Sequence, residues 1–312
     1  MTPRILVTGA AGYLGSVLVG RLLEGGFAVR AVDSLIYGQT SLLHLCGQAG
    51  FEFVRGDVRN EDLMRQSLSD VDATVPLAAL VGAPVCGRDP WSARAVNFEA
   101  IATLTRLRSP SQLIVFPNTN SGYGHTESAS VCTEDSPLAP VSVYAQTKCE
   151  AEQTVLEAGN SLSLRMATMF GTSARMRTDL LVNDFVYSAC TARSIVVFDH
   201  TFRRNFVHVR DAADCVTHCL ENAGQMVGGV YNLGLDDSNL TKGELALLVQ
   251  SHVPGCHVEL AQIGNDPDRR SYTISSAALA ARGFVARRSL DAGIEELKMA
   301  YEMWPRSRFG NV

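Results

Sequence analysis

Tyr144 and Lys148 stand four residues apart in Tyr144-Ala-Gln-Thr-Lys148. On a helix that spacing puts both side chains on one face. A tyrosine ionises near pH 10, so a phenolate base working near neutrality needs its pKa lowered by about 3 units, worth roughly 4 kcal/mol. A neighbouring ammonium and a cationic ring push in that direction. Upstream, Pro117-Asn-Thr119-Asn-Ser121-Gly-Tyr123-Gly124 directly follows a strand-like run. The Thr119 hydroxyl is thereby placed at a strand's carboxyl end, where it could share a substrate alcohol with Tyr144.

A second set of residues suits a dinucleotide. Gly9-Ala-Ala-Gly12-Tyr13-Leu14-Gly15 is a GxxGxxG pattern between a strand-like and a helix-like segment. Glycines there let the chain turn tightly and let backbone N–H groups approach a pyrophosphate, with the positive end of the helix behind them. Asp33 ends the next strand, 18 residues after Gly15. Its carboxylate can accept from an adenosine ribose diol and would repel a 2′-phosphate, which favours NAD over NADP. Asp57, in Gly56-Asp57-Val58, fits either an adenine contact or an Asx-turn at a helix start.

These residues need a scaffold, and the hydrophobic periodicity supplies one. Strands are expected at Arg4–Thr8, Ala28–Val32, Phe51–Val54, Ala73–Val75, Leu113–Phe116 and Leu162–Arg165. Helices are expected at Tyr13–Glu24, Asn60–Leu68, Trp91–Leu107 and Val143–Ala158. Such alternation predicts an α/β fold, a Rossmann-type doubly wound parallel sheet with right-handed crossovers. Beyond residue 165 the pattern loosens. A helix is expected near 179–191, strands at Asn205–Val207 and Val230–Asn232, and a helix at Arg210–Glu221. This divides the chain into a nucleotide-binding domain, 1–165 plus about 205–235, and a smaller α/β C-terminal cap, about 166–204 plus 236–312.

Composition narrows the class. The 312 residues are 46% hydrophobic and 19% charged, as in a globular protein with a sizeable core. A net charge of −5 with no basic block leaves no electrostatic footprint for nucleic acid. Eight cysteines without a CxxC pair, no signal-peptide pattern and no membrane-length apolar run point to a reducing cytoplasm. Cys215, His218 and Cys219 read as a buried helix face rather than a metal cluster, so no metal is expected. His208 reads as structural, His125 has no assigned role, and Trp91, Trp304 and Phe206 are expected to pack.

Taken together the motifs resemble extended short-chain dehydrogenases/reductases of the NAD-dependent nucleotide-sugar epimerase/dehydratase type. The marks run through essentially the whole chain: GAAGYLG, Asp33, Gly56-Asp57-Val58, Leu77-Ala78-Ala79, Asn97, Thr119 to Gly124, YxxxK, and Arg204 to Asp211. The resemblance implies that Tyr144 takes a sugar hydroxyl proton as hydride passes to NAD. It implies that Lys148 holds the nicotinamide ribose and lowers the tyrosine pKa, and that Thr119 orients the sugar oxygen. Asn97 would anchor the active-site helix. Gly9, Gly12, Tyr13, Leu14, Gly15, Asp33, Asp57, Val58, Leu77, Ala78, Ala79, Val81, Asn97, Tyr144 and Lys148 would contact the cofactor, and Arg204 would grip the sugar diphosphate. Pairing of the 91–107 and 143–158 helices between subunits would give a homodimer or a dimer-built tetramer.

Departures from the family narrow the reaction. Asn120 and Ser121 occupy the positions where family dehydratases carry Asp-Glu and decarboxylases Ser-Glu, so neither can transfer a proton for elimination. Pro76 stands in place of a frequent histidine, and Thr168 in place of a frequent diphosphate-binding asparagine. Residues 76–86, 117–124, 175–185 and 266–270 look similar to a subgroup that oxidises GDP-linked heptose at C4, with 2-oxoglutarate reoxidising the NADH. That resemblance adds Asn120, Ser121, Arg177, Asn183 and Arg270 to Arg204 as substrate candidates. A 4-epimerase would use the same triad. A non-catalytic NAD(P) sensor is disfavoured because Thr119, Tyr144 and Lys148 are all present.

Overall fold

The computed structural model describes residues 2–126, 131–262 and 270–303. Seven strands form one parallel sheet: β1 (Arg4–Thr8), β2 (Ala28–Asp33), β3 (Phe51–Arg55), β4 (Ala73–Pro76), β5 (Leu113–Thr119), β6 (Ser161–Met166) and β7 (Val230–Leu233). Their spatial order is β7-β6-β5-β4-β1-β2-β3. The first three strands step outward in one direction and the rest in the other. The order therefore reverses between β1 and β4, where Thr8 lies opposite Pro76. A crevice opens at the carboxyl ends of the strands at such a reversal, and ligands of open α/β sheets bind there.

Burial on both faces explains the composition of these strands. Ile5, Leu6 and Val7 are at most 2% exposed, and residues 113–118 of β5 are all buried. Continuous apolar runs are what a parallel sheet covered by helices on each side requires. On one face, Leu14, Leu18, Val19 and Leu22 of the helix Tyr13–Glu24 join the core together with the helix Val209–Glu221. On the other face, Ile101, Leu104, Ala151 and Val155 pack against Leu6, Ile114 and Phe116.

A separate hydrophobic cluster lies beyond the sheet. It is built from Phe170, Met176, the helix Leu181–Ala192, the strand Ser194–Val197, the helix Lys242–His252 and the helix Leu290–Met303. Phe206 and Leu235 contribute to it from segments close to the sheet. Conversely Leu279, with Ala278 and Phe284 beside it, packs into the sheet-side core.

The expected helix Trp91–Leu107 is not continuous. It runs as a short α segment, Pro90–Arg94, a π turn, Ala95–Glu99, and a second α segment, Ala100–Leu107. A π turn adds a residue to the helical circuit and re-aims the side chains within it. Here the residue it carries inward is Asn97, 1% exposed. Trp91, expected to pack, is instead 85% exposed, because it lies on the outer side of the first segment. Trp304 lies outside the described residues. A short helix at Ala83–Arg88, with Pro84 in its first turn, had no clear signature in the periodicity.

Candidate active site

The glycine loop leads straight from β1 into the helix Tyr13–Glu24. Gly9 has φ +65°, and a Cβ on it would stand 2.6 Å from the Ala78 nitrogen. Only glycine lets the loop after β4 come this close. A Cβ on Gly15 would collide with the Gly9 and Ala10 carbonyl oxygens. Gly12 caps the helix, and no side chain there bonds the first-turn amides. Those N–H groups lack partners within the helix and point to where an anion would sit.

This loop lines a cavity of about 580 Å³. Gly9, Gly12, Tyr13, Leu14, Gly15, Asp33, Asp57, Val58, Leu77, Ala78, Ala79 and Val81 all face it, as do Tyr144 and Lys148. Asp33 is 7% exposed. Its Oδ2 accepts from the Ala11 amide at 2.9 Å and its Oδ1 from the Leu35 amide at 2.8 Å. Oδ1 also accepts from Gln39 Nε2 at 3.2 Å, so Oδ2 is the oxygen that keeps acceptor capacity for a diol. Asp57 lines the cavity, and its Oδ1 accepts from the Arg59 amide in an Asx-turn at 2.9 Å. The Arg59 guanidinium beside it holds its carboxyl below the usual range. A glycine cradle at a free helix terminus, with a carboxylate at the end of the next strand, fits an adenine dinucleotide.

A second cavity, about 330 Å³, adjoins the first. Tyr13, Val81, Val85, Asn118, Tyr144, Met166, Met169 and Arg177 line both. Thr119, Ser121, Thr168, Arg204, Lys242 and Arg270 line only the second among the described residues. Tyr144 therefore stands at the junction between the two spaces.

The helix Val143–Glu157 starts at Ser142, whose hydroxyl accepts from the Ala145 amide at 3.2 Å. Tyr144 falls in its first turn and Lys148 one turn later. Lys148 is 5% exposed and its Nζ donates to the Pro117 carbonyl at 2.6 Å. The ammonium also lies 4.1 Å from the centre of the Phe116 ring. Burial pushes it down to about 7, with the Glu152 carboxylate, one turn on, acting against that fall. Burial pushes the Tyr144 phenol up to about 12, while the positive charges of Arg270 and Arg177 and the nearby Thr119 hydroxyl pull it back.

Thr119 also caps the short turn Asn120–Tyr123, its hydroxyl accepting from the Ser121 amide at 3.1 Å. The Thr119 and Ser121 hydroxyls share a hydrogen bond of 2.8 Å, and the Arg270 guanidinium donates to the Ser121 hydroxyl. Asn97, buried under the cofactor cavity, accepts from the Leu80 amide at 2.8 Å and donates to its carbonyl at 2.9 Å. Its amide also reaches Thr147 on the active-site helix at 3.4 Å. It ties the loop after β4 to that helix without lining the cavity itself.

Two substrate candidates, Asn120 and Asn183, sit otherwise than expected. Asn120 is 0% exposed and turns into the protein. In the amide orientation that satisfies both its ends, it donates to Asn232 Oδ1 and the Arg165 carbonyl and accepts from the Ala167 amide. Asn183, also 0% exposed, accepts from the Gly171 amide at 3.1 Å and donates to the Arg177 carbonyl at 2.9 Å. Neither lines either cavity among the described residues; a short polar side chain next to several backbone groups satisfies those first. Arg177 does face both cavities, but paired with Asp179 at 3.0 Å. Arg204, 3% exposed, donates to the carbonyls of Arg203 at 3.0 Å and of Arg270. Of the 266–270 segment, only Arg270 lies within the described residues.

Two residues of this region had gone unmarked. Lys242 is 4% exposed and lines the second cavity; a capping-box helix start was its only sequence signal. Arg165 forms a buried ion pair with Glu152 at 2.7 Å and donates to the Tyr123 hydroxyl at 3.1 Å, which braces the turn after β5. His208 is buried as expected, its Nε2 3.3 Å from Glu296. Cys215 and Cys219 lie in the sheet-side core. No described helix is long and apolar enough to cross a membrane.

Comparison with known proteins agrees with this geometry. The family model of the NAD dependent epimerase/dehydratase family matches residues 5–234. UDP-glucose 4-epimerase of Azospirillum brasilense is 29% identical over 237 residues, covering 68% of this chain and 67% of that protein. The low-salt glycan biosynthesis protein Agl12 of Haloferax volcanii is 28% identical over 308 residues, covering 93% and 96%. Among solved structures, UDP-glucose 4-epimerase of Thermus thermophilus in complex with NAD superposes with a TM-score of 0.82 at 23% identity, covering 95% and 99%.

Proposed function

We propose, from the premise that this chain belongs to the NAD-dependent epimerase/dehydratase family, that it oxidises a nucleotide sugar at C4. Membership makes it an NAD-dependent enzyme. The observation that carries this reading is the position of Tyr144, at the junction of a dinucleotide cavity and a second cavity that Thr119 lines. NAD, when bound, would supply the hydride acceptor and a positive charge.

The residues of the chain do the rest. Thr119 and Tyr144 hold the sugar alcohol between two hydroxyls, and Tyr144 takes its proton. The ammonium of Lys148, fixed by the Pro117 carbonyl, favours the phenolate. Arg177 and Arg270 add positive charge on the substrate side. Elimination of water needs an acid and a base beside this pair. Asn120 points away, Ser121 offers a hydroxyl, and the carboxylates among the described lining residues are Asp179, paired with Arg177, and Asp184. The site therefore suits hydride transfer better than dehydration.

The finer reading is a GDP-D-glycero-α-D-manno-heptose 4-dehydrogenase with 2-oxoglutarate as terminal hydride acceptor, supported by the subgroup likeness of residues 76–86, 117–124 and 175–185. A second reading, a 4-epimerase that returns the hydride to the other face of the 4-keto sugar, is favoured by the likeness to UDP-glucose 4-epimerases. Incubation with the GDP-heptose or UDP-glucose, with NAD and with or without 2-oxoglutarate, separates them by NMR and mass spectrometry. Loss of two hydrogens identifies the dehydrogenase, and an isomer of unchanged mass the epimerase. No turnover across a panel of nucleotide sugars would overturn the C4 reading.

A further inference from the structure

The wall of the first cavity contains a contact between two segments that leave the sheet far apart. Arg175 is 8% exposed, and its guanidinium carbon lies 5.0 Å from the centre of the Tyr37 ring. Both residues line the cavity. At that separation the cation feels the negative face of the ring, an attraction that strengthens where water is excluded. The Asp33 carboxylate also acts on the Arg175 charge, which sets the stack at the Asp33 end of the cavity. Tyr37 is 41% exposed, so the stack stands at the cavity's rim rather than its floor.

The sheet order shows what the contact crosses. Tyr37 follows β2, the strand next to β1 on one side. Residues 171–175 come after β6, three strands from β1 on the other side. Where the two segments meet, they bridge the carboxyl end of β1, from which the glycine loop starts.

Each side of the bridge is fastened to the cofactor motif. On one side the Tyr13 hydroxyl donates to the Gly171 carbonyl at 2.6 Å. The Ser173 hydroxyl donates to the Tyr13 carbonyl at 2.7 Å and shares a 2.8 Å hydrogen bond with Ser16. The Arg175 amide in turn donates to Ser173 Oγ at 3.2 Å. On the other side the Tyr37 amide donates to Gln39 Oε1 at 3.1 Å, and Gln39 Nε2 donates to Asp33. The Ser41 hydroxyl donates to the Ala11 carbonyl at 2.8 Å. Leu35 holds a left-handed φ of +56°, which a leucine keeps only when its surroundings fix it. Arg175 has partners in the protein besides the ring, so the inference rests on where the stack stands and not on a free cation.

We propose that Tyr37 and Arg175 form a strap that retains the cofactor: the stack spans the way out of the first cavity, and NAD(H) leaves only when it parts. An NADH that must be reoxidised in place gains from such a closure. The proposal rests on the family's use of NAD and not on which sugar is oxidised.

The test is the rate at which NADH leaves the loaded protein. NADH-loaded protein is mixed with excess NAD, and the loss of bound NADH fluorescence is followed for the parent, Tyr37→Ala, Arg175→Met, the double variant and Tyr37→Phe. Each of Tyr37→Ala and Arg175→Met should release NADH about 3- to 30-fold faster, the scale of one cation–π contact. The double variant should be within about twofold of the faster single variant, because either change already parts the stack. Tyr37→Phe keeps the ring and should stay within about twofold of the parent. If Arg175→Met does not melt cooperatively, Arg175→Gln takes its place. A parent-like rate in either single variant overturns the strap. So do effects that multiply in the double variant, since each residue would then act alone, and so does a parent whose NADH exchanges within the mixing time. No sugar enters the experiment, so each of these failures leaves the C4 reading standing.

Discussion

The Tyr13 hydroxyl donates to the Gly171 carbonyl at 2.6 Å, joining the glycine-loop helix to a segment 158 residues later. The same oxygen accepts from Asn183 at 3.3 Å. Burial pushes the Tyr13 phenol well above its ordinary pKa, so it serves as a fixed donor. The tyrosine of the nucleotide motif thus also fastens the second cluster over the sheet.

Tyr13→Phe should cost about 1–3 kcal/mol, because the Gly171 carbonyl and the Asn183 amide each lose a buried partner. Urea denaturation of the NAD-bound protein reads this directly. A midpoint equal to the parent's would show that the two parts are held together elsewhere.

Tyr144→Phe should lower turnover about 10²- to 10⁴-fold while leaving bound NAD in place, since it removes the proposed proton acceptor and little volume. Rapid-quench turnover together with the NAD content of the purified protein tests both halves. Retention of most of the activity would remove Tyr144 from the mechanism.

Lys148 sets activity against stability. Its pKa is about 7 when folded against 10.5 as the ordinary value. Between those pH values the unfolded chain binds more protons, so this residue's penalty is complete below pH 7 and fades as pH rises toward 10. Lys148→Met should be inactive with NAD supplied, and as cofactor-stripped protein more stable than the parent by a few kcal/mol near pH 6, with the gap closing by pH 10. A variant less stable than the parent at pH 6 would contradict this.

Asp33→Asn removes the carboxylate charge from the wall of the first cavity and keeps an oxygen for the Ala11 amide. NAD affinity should fall about tenfold and the preference over NADP should shrink. Fluorescence titration with both cofactors measures the ratio, and an unchanged ratio would place cofactor selection elsewhere.

Glu296 links the last described helix to Thr172, to Arg210 at 2.7 Å and to His208. Burial pushes its carboxyl up, but contacts from His208 and Thr172 outweigh that and hold it at about 2. A depressed folded pKa means stabilisation present above about pH 4.5 and lost as pH falls toward 2. Glu296→Gln should therefore cost about 1–2 kcal/mol at pH 7, allowing for its 24% exposure, and progressively less in acid. Parallel thermal melts from pH 7 to pH 3 would show the curves converging; a pH-independent gap would assign the effect to packing.

The sequence by itself determined the parts that depend on local spacing. The strand–glycine–helix turn, Asp33 at the end of β2, the i, i+4 pair Tyr144 and Lys148, and the hydroxyl of Thr119 were all legible, because backbone geometry converts such spacings directly into position. The alternation of apolar runs likewise implied the parallel sheet. Tertiary structure decided what long-range competition governs. Asn120 and Asn183 carry side chains suited to a sugar, but each is claimed by buried backbone groups brought close by folding. The helix around Asn97 looked continuous because periodicity cannot register a single π turn. Lys242 carries no mark of its own in the sequence, and only the pairing of Arg203 with Thr241 brings its residue to the cavity wall. A side chain's chemistry is written locally, but its neighbours come from distant parts of the chain, and only folding brings them together.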